Sequence, residues 1–229
     1  MRDVYSDNAK HWWDEQGPFK MLHRMHPHRL ACLLNHIPKI SDAHVLDYAC
    51  GGGLMSESLC RLGARVVGVD QSAEIIDAAR SHALAEQLAV TYIHGTIDSL
   101  DDVYFTDDPF DVVCALECLE HVQSPERMLA SLSSCLKPGG YAVFSTINRT
   151  AQSALLGIFA AEYLLGWVEP GTHEYDKFIK PSELVRMAES SGLNLIDLQG
   201  ISFDTKRQDF YLSGDVSINY ITVFRKSVG

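Results

Sequence analysis

The sequence predicts a doubly wound α/β domain built on a mostly parallel sheet of seven strands, and three observations predict it. Short β-branched runs alternate with amphipathic helical patterns from Val45 onward. The runs are apolar on both faces, as strands covered by helices on two sides must be. Gly63 and Gly192 fall just past two of the helical patterns, where a left-handed cap is wanted.

The elements follow in chain order. Val45 to Asp47 reads as the first strand and Leu54 to Leu62 as a helix; Arg65 to Asp70 (RVVGVD) is the second strand. Ser72 to Gln87 is helical, with Ile75, Ile76, Ala79 and Ala83 on one stripe. Val90 to His94 gives the third strand and Phe110 to Leu116 the fourth. Pro125 to Leu136 is a helix, closed by Lys137-Pro138-Gly139-Gly140 ahead of a fifth strand from Tyr141 to Thr146. A helix starts near Pro181, and Leu193 to Ile201 and Ser217 to Phe224 supply the last two strands. Residues 1–40, rich in aromatics and His, read as a helical cap on the domain formed by 41–229, with 148–180 inserted as a lid.

Composition bounds the function. A chain of 229 residues, 46% hydrophobic and 21% charged, is long enough for one substantial core. A net charge of −11 argues against a protein that holds nucleic acid by neutralising phosphates, with Lys177, Lys180, Arg24 and Arg29 the candidates for a local basic patch. Six cysteines without a C-x-x-C pair read as small buried hydrophobes kept reduced. Met1-Arg2-Asp3 leads into polar sequence rather than an apolar signal region. The longest apolar stretch, Ala151 to Val168, carries Glu162 and is too short for a comfortable membrane span.

Chemistry concentrates beyond the carboxyl ends of the strands, where ligands of such sheets bind. After the first strand runs Asp47-Tyr48-Ala49-Cys50-Gly51-Gly52-Gly53, whose glycines allow a sharp turn and close approach of ligand to backbone. A dinucleotide fingerprint opened by Gly51 and Gly53 needs glycine at 56, which is Ser56, so nicotinamide chemistry is disfavoured. Asp47 before the loop suits a ligand with a cationic amino-acid end. Asp70, ending the second strand with Gln71 beside it, is placed to accept from both ribose hydroxyls. Gly95-Thr96-Ile97-Asp98 is placed to flank an adenine ring, Asp98 near its amino group.

The fourth strand runs into Leu116-Glu117-Cys118-Leu119-Glu120-His121-Val122. A helical turn there puts Glu117, Glu120 and His121 on one face, at i, i+3 and i+4. Such a group reads as oxygen and nitrogen ligands for a divalent cation. It reads equally as a general base, His121, with its pKa raised by the carboxylates, or as a solvated turn.

Together these segments resemble the ubiquinone-biosynthesis O-methyltransferases. Asp47 to Gly53 resembles motif I of the class I methyltransferases. Trp12-Trp13-Asp14, Phe19 to Arg24 and Pro27-His28-Arg29-Leu30 are similar to the family's N-terminal signature. So are Leu116 to Val122, Ser145 to Arg149, Gly171-Thr172-His173, Lys177 to Pro181 and the tail Asp215 to Tyr220, covering nearly the whole chain.

The resemblance implies a class I methyltransferase fold, S-adenosylmethionine as methyl donor, and methylation of catechol-like hydroxyls on polyprenylated rings. It also implies that Arg29, Ala49, Asp70 and Leu116 contact S-adenosylmethionine. With Asp47, Gly51, Gly53, Gln71, Ile97 and Asp98 they make up the expected cofactor set. Glu117, Glu120 and His121 match residues implied to hold a divalent metal, magnesium, in eukaryotic members. Glu117 and His121 are the expected catalytic pair. Such a substrate implies peripheral membrane contact through 151–168, where Leu155, Ile158, Phe159, Tyr163 and Trp167 stand at helical spacing. It also implies a place in a ubiquinone-biosynthesis complex, in the bacterial cytoplasm or on the matrix side of the mitochondrial inner membrane. The competing readings are a methyltransferase for another small acceptor and a non-catalytic cofactor-binding scaffold. One departure bears on the loop: the family has glycine where this chain has Ala49, whose methyl group is tolerated at negative φ and strained at positive φ.

Overall fold

A computed structural model of the chain describes residues 4–96, 108–153 and 175–228. The strands are β1 (His44–Tyr48), β2 (Arg65–Asp70), β3 (Thr91–His94), β4 (Phe110–Leu116), β5 (Leu136–Ile147), β6 (Leu193–Asp204), β7 (Asp209–Ser213) and β8 (Asn219–Lys226). They form one sheet in the order β3-β2-β1-β4-β5-β8-β6-β7. β1 to β5 pair in parallel, β8 runs antiparallel to both β5 and β6, and β6 and β7 form a hairpin.

The described helices are α1 (Val4–Asp7), α2 (Lys20–His36), α3 (Leu54–Arg61), α4 (Ala73–Ala85), α5 (Pro125–Ser134) and α6 (Pro181–Ser190). Their ends follow local chemistry. Ser72 caps α4, its hydroxyl accepting from the Ile75 N–H, and Ser124 caps α5 in the same way through Arg127. Proline opens both α5 and α6, where its missing N–H is not needed. Gly63 (φ +89°) and Gly192 (φ +77°) take the left-handed caps expected of them.

Two expectations needed correction. The sheet has eight strands, because β6 runs on to Asp204 and folds back as β7. The turn is local: the Asp204 carboxylate accepts from the backbone N–H groups of Lys206 and Arg207. β7 is a half-buried edge strand of five residues, too short and too polar for its alternation to stand out. β5 begins at Leu136 rather than Tyr141. Its register against β4 jumps between Phe110 and Val112, so Lys137 to Gly140 form an irregularity in which Pro138 costs no regular ladder bond.

The sheet is buried on both faces. Cys32 and Leu33 of α2 and Met55 and Leu59 of α3 pack with Val45, Val112, Val143, Ile221 and Val223. A second core joins Met128, Leu129 and Leu132 of α5 and Leu184 and Ala188 of α6 to Leu46, Val113, Ala115, Phe144 and Phe224. Each fully buried aliphatic side chain contributes about 1.5–3 kcal/mol. The N-terminal segment contains α1 and the long helix α2, and α2 packs on the face of the sheet. The strand order reverses between β1 and β4, so a crevice opens beyond their carboxyl ends.

Candidate active site

The loop leaving β1 turns on three left-handed residues, Ala49 (φ +55°), Gly51 (φ +55°) and Gly53 (φ +97°), the last opening α3. Two neighbours fix it. The Cys50 N–H donates to the Val69 carbonyl (3.0 Å), and the Gly51 N–H donates to the Asp70 carboxylate (3.1 Å). The other Asp70 oxygen accepts from the Ser72 N–H (3.0 Å). Side chains at 51 and 52 are excluded by contact: a Cβ at either position would overlap the indole of Trp12.

Asp47 lies inside the protein, 2% exposed, and accepts a 2.6 Å hydrogen bond from the Ser56 hydroxyl on α3. Burial pushes its carboxyl up to about 7. Its observed role is to hold α3 against the strand end. Asp70 is half-buried, Gln71 is exposed and Leu116 is half-buried. Ile97 and Asp98 lie outside the described residues, as do Gly171-Thr172-His173.

Across the crevice, Arg29 of α2 reaches the exit of β4. Its Nη2 lies 2.9 Å from Glu117 Oε1, with side-chain exposures of 7% and 21%. Glu117 also accepts from the Ser145 hydroxyl (2.7 Å) and from the Asn219 amide at both oxygens (3.1 Å). Arg29 Nε and Trp12 Nε1 are buried donors with no protein partner among the described residues. Glu120 is buried and accepts from the Thr146 hydroxyl (2.6 Å). Burial, reinforced by the Glu117 charge, pushes its carboxyl up to about 8.

The single helical face expected for Glu117, Glu120 and His121 does not form. Glu117 is left-handed (φ +54°), and helical geometry, of the tight 3-10 kind, starts only at Leu119. Glu120 therefore points into the protein while His121 is exposed. Their ligand atoms do not gather within 4.8 Å of one another. Nor does the chemistry fit magnesium, which wants charged, free oxygens. Glu117 is paired with Arg29, and Glu120 is buried against the Thr146 hydroxyl.

Ser145, Thr146 and Asn219 hold the two carboxyls, a role that the sequence alone does not assign. The available signal was polar residues at the end of an otherwise apolar strand.

Two outcomes follow. An alanine held at φ +55° costs about 1 kcal/mol relative to glycine. Ala49→Gly should therefore raise Tm by about 2–4 °C in calorimetry; an unchanged or lower Tm contradicts the strain. For Glu120, the folded pKa lies above the unfolded one, so its contribution is full below about 4.5 and is lost as pH rises through about 8. Tm measured from pH 4.5 to 8.5 should fall less steeply in Glu120→Gln than in the parent; parallel curves would count against the raised pKa.

The comparisons agree with this geometry. A family profile described as a methyltransferase domain matches residues 8–198. Ubiquinone biosynthesis O-methyltransferases from Coxiella burnetii and Idiomarina loihiensis are 44% and 43% identical to the chain. The Coxiella match covers 96% of this chain and 92% of the relative; the Idiomarina match covers 97% and 90%. Among solved structures, magnesium protoporphyrin IX methyltransferase from Synechocystis, with bound S-adenosylhomocysteine (SAH), superposes with a TM-score of 0.67 at 20% identity, over 92% of this chain and 86% of that one. That likeness shows the fold. The fold, the loop and the two near-full-length relatives place the chain in the ubiquinone biosynthesis O-methyltransferase family, as an S-adenosylmethionine-dependent methyltransferase.

Proposed function

We propose that the protein methylates a phenolic hydroxyl of polyprenylated catechol or demethylubiquinol intermediates in ubiquinone biosynthesis. The observation that carries this reading is the buried Arg29 across the crevice from the glycine loop, with Nε unpartnered and Nη2 oriented by Glu117. The unpartnered donor suits the carboxylate of an amino-acid cofactor, and Asp70 at the end of β2 suits its ribose hydroxyls. S-adenosylmethionine supplies the methyl group from a sulfonium centre.

A phenol with a pKa of about 10 is mostly neutral at pH 7 and a poor nucleophile. His121, exposed just past β4, takes its proton; the phenolate oxygen then forms the new C–O bond as the S–CH3 bond breaks, leaving a neutral thioether. A cation at Glu117, Glu120 and His121 would require Glu117 to release Arg29 and Glu120 to turn out of its buried site, so the proposal places no metal in the reaction.

A polyprenyl tail brings the enzyme to lipid. Among the described residues no helix is long and apolar enough to cross a membrane. We assign surface contact to 151–168, whose apolar stripe lies outside the described residues from Leu155 on. Co-sedimentation with anionic vesicles should be lost when Phe159 and Trp167 both become Ser; failure of the parent to co-sediment removes the assignment.

The function is tested by transfer of labelled methyl to a short-chain polyprenyl catechol. Turnover should survive chelation and fall about 10²–10⁴-fold in His121→Asn. Loss on chelation restored by magnesium would establish the metal instead. Cofactor binding without turnover would favour a scaffold, and turnover only on unprenylated phenols another acceptor.

A further inference from the structure

Away from the crevice, three side chains from two elements converge. Cys32 and His36 stand one turn apart on α2, and Asp197 comes from β6; one donor atom of each lies within 4.8 Å of the other two. The arrangement is built on both sides. β6 carries a register shift between Leu195 and Asp197, the kind of bulge that re-aims a side chain. The Asp197 carboxylate is steadied by the Leu198 N–H at 2.9 Å and the Gln199 amide at 2.6 Å.

His36 carries the decisive geometry. Its Nδ1 lies 2.8 Å from the Cys32 carbonyl. A carbonyl only accepts, so Nδ1 bears a hydrogen, and the neutral ring presents a lone pair at Nε2. That Nε2 faces Asp197 Oδ2 at 3.2 Å. Two acceptors at that distance repel unless a proton or a cation lies between them. The sulfur of Cys32, a residue 1% exposed, supplies the third donor.

We propose that Cys32, His36 and Asp197 form a binding site for zinc, with the fourth position open to water. Sulfur, imidazole and carboxylate together select zinc over magnesium or calcium. The Nδ1–H to carbonyl bond is the outer-shell contact that zinc-bound histidines make. Zinc–ligand distances of about 2.0–2.3 Å set donors roughly 3.3–3.8 Å apart, so the three need close by only about 1 Å. Burial and the Asp197 charge push the free thiol up to about 12. On binding, the thiol proton leaves to solvent as the Zn–S bond forms. The ion would pin α2 to the sheet three residues beyond Arg29, and so act on the stability of the site rather than on its chemistry.

The test uses metal-free full-length protein. It should take up one equivalent of zinc with a rise in Tm and release of protons, and cobalt in its place should show a thiolate-to-metal charge-transfer band. His36→Gln and Asp197→Asn should each abolish the Tm rise, and Gln199→Leu should weaken binding about 10–100-fold. Cys60→Ser should change nothing, since Cys60 is a partly exposed cysteine outside the cluster. Because Cys32→Ser risks the core, the two partly exposed positions decide the matter. Zinc uptake unaltered in His36→Gln and Asp197→Asn overturns the proposal. So does cobalt bound without the thiolate band, or no uptake at all, in which case the His36–Asp197 contact holds a proton.

Discussion

A guanidinium with 7% of its side chain exposed must be paired, because an isolated charge taken out of water costs several kcal/mol. Arg29 meets that demand through Glu117, and the demand reaches much of the chain. Arg29 comes from α2, Glu117 from the exit of β4, Ser145 from β5 and Asn219 from β8. Segments from the first and last thirds of the sequence are thus held to one carboxylate. Removing one partner of such a pair costs about 3–5 kcal/mol, because the other is left buried and charged. The pair is better regarded as a geometric constraint than as a source of net stability, since forming it already costs desolvation on both sides.

The remaining carboxyls near the crevice are handled differently. Neither Asp47 nor Glu120 forms an ion pair of its own among the described residues, and each accepts from a hydroxyl, that of Ser56 or of Thr146. Burial without a paired cation raises both pKa values, to about 7 and about 8. Below those values the two groups are neutral. On the same rim Asp70 accepts from two backbone N–H groups, and Glu117 is paired with Arg29. The carboxyls of one rim therefore differ in partner and burial, and it is burial that pushes Asp47 and Glu120 up.

The parallel half of the sheet was legible in the sequence because its strands are apolar on both faces, a pattern that few arrangements besides a helix-covered sheet produce. β4 fell at the residues expected of it, and the Gly63 and Gly192 caps are left-handed as read. β7 was not legible, since an edge strand of Asp209 to Ser213 needs neither continuous apolarity nor clean alternation. The acidic cluster was legible as composition and not as geometry. Spacing of i, i+3 and i+4 assumes helical φ and ψ from the first residue, and a left-handed Glu117 breaks that assumption. Asn219 is 102 positions from Glu117, a separation at which only the sheet order brings residues together.

Ala49 and Glu117 express the same constraint at neighbouring places. Each is the first residue past a parallel strand, β1 or β4, and each sits near φ +55°. The two strands pair in register up to Tyr48 and Ala115, so their chains leave the sheet side by side at the point where strand order reverses. Both must turn at once to open a crevice rather than run on into the next helix. The left-handed turn costs about 1 kcal/mol or more at a residue with a Cβ, and each turn is met by a backbone bond to a neighbouring strand. After Ala49 the Cys50 N–H donates to Val69, and the N–H of Glu117 itself donates to Ser145. Glycine would relieve the strain at either place, but at 117 it would also remove the carboxylate that pairs with Arg29. A carboxylate is needed at one turn and not at the other: at Glu117 the strained residue supplies the partner of Arg29, whereas at Ala49 it supplies only a methyl group packed against the core.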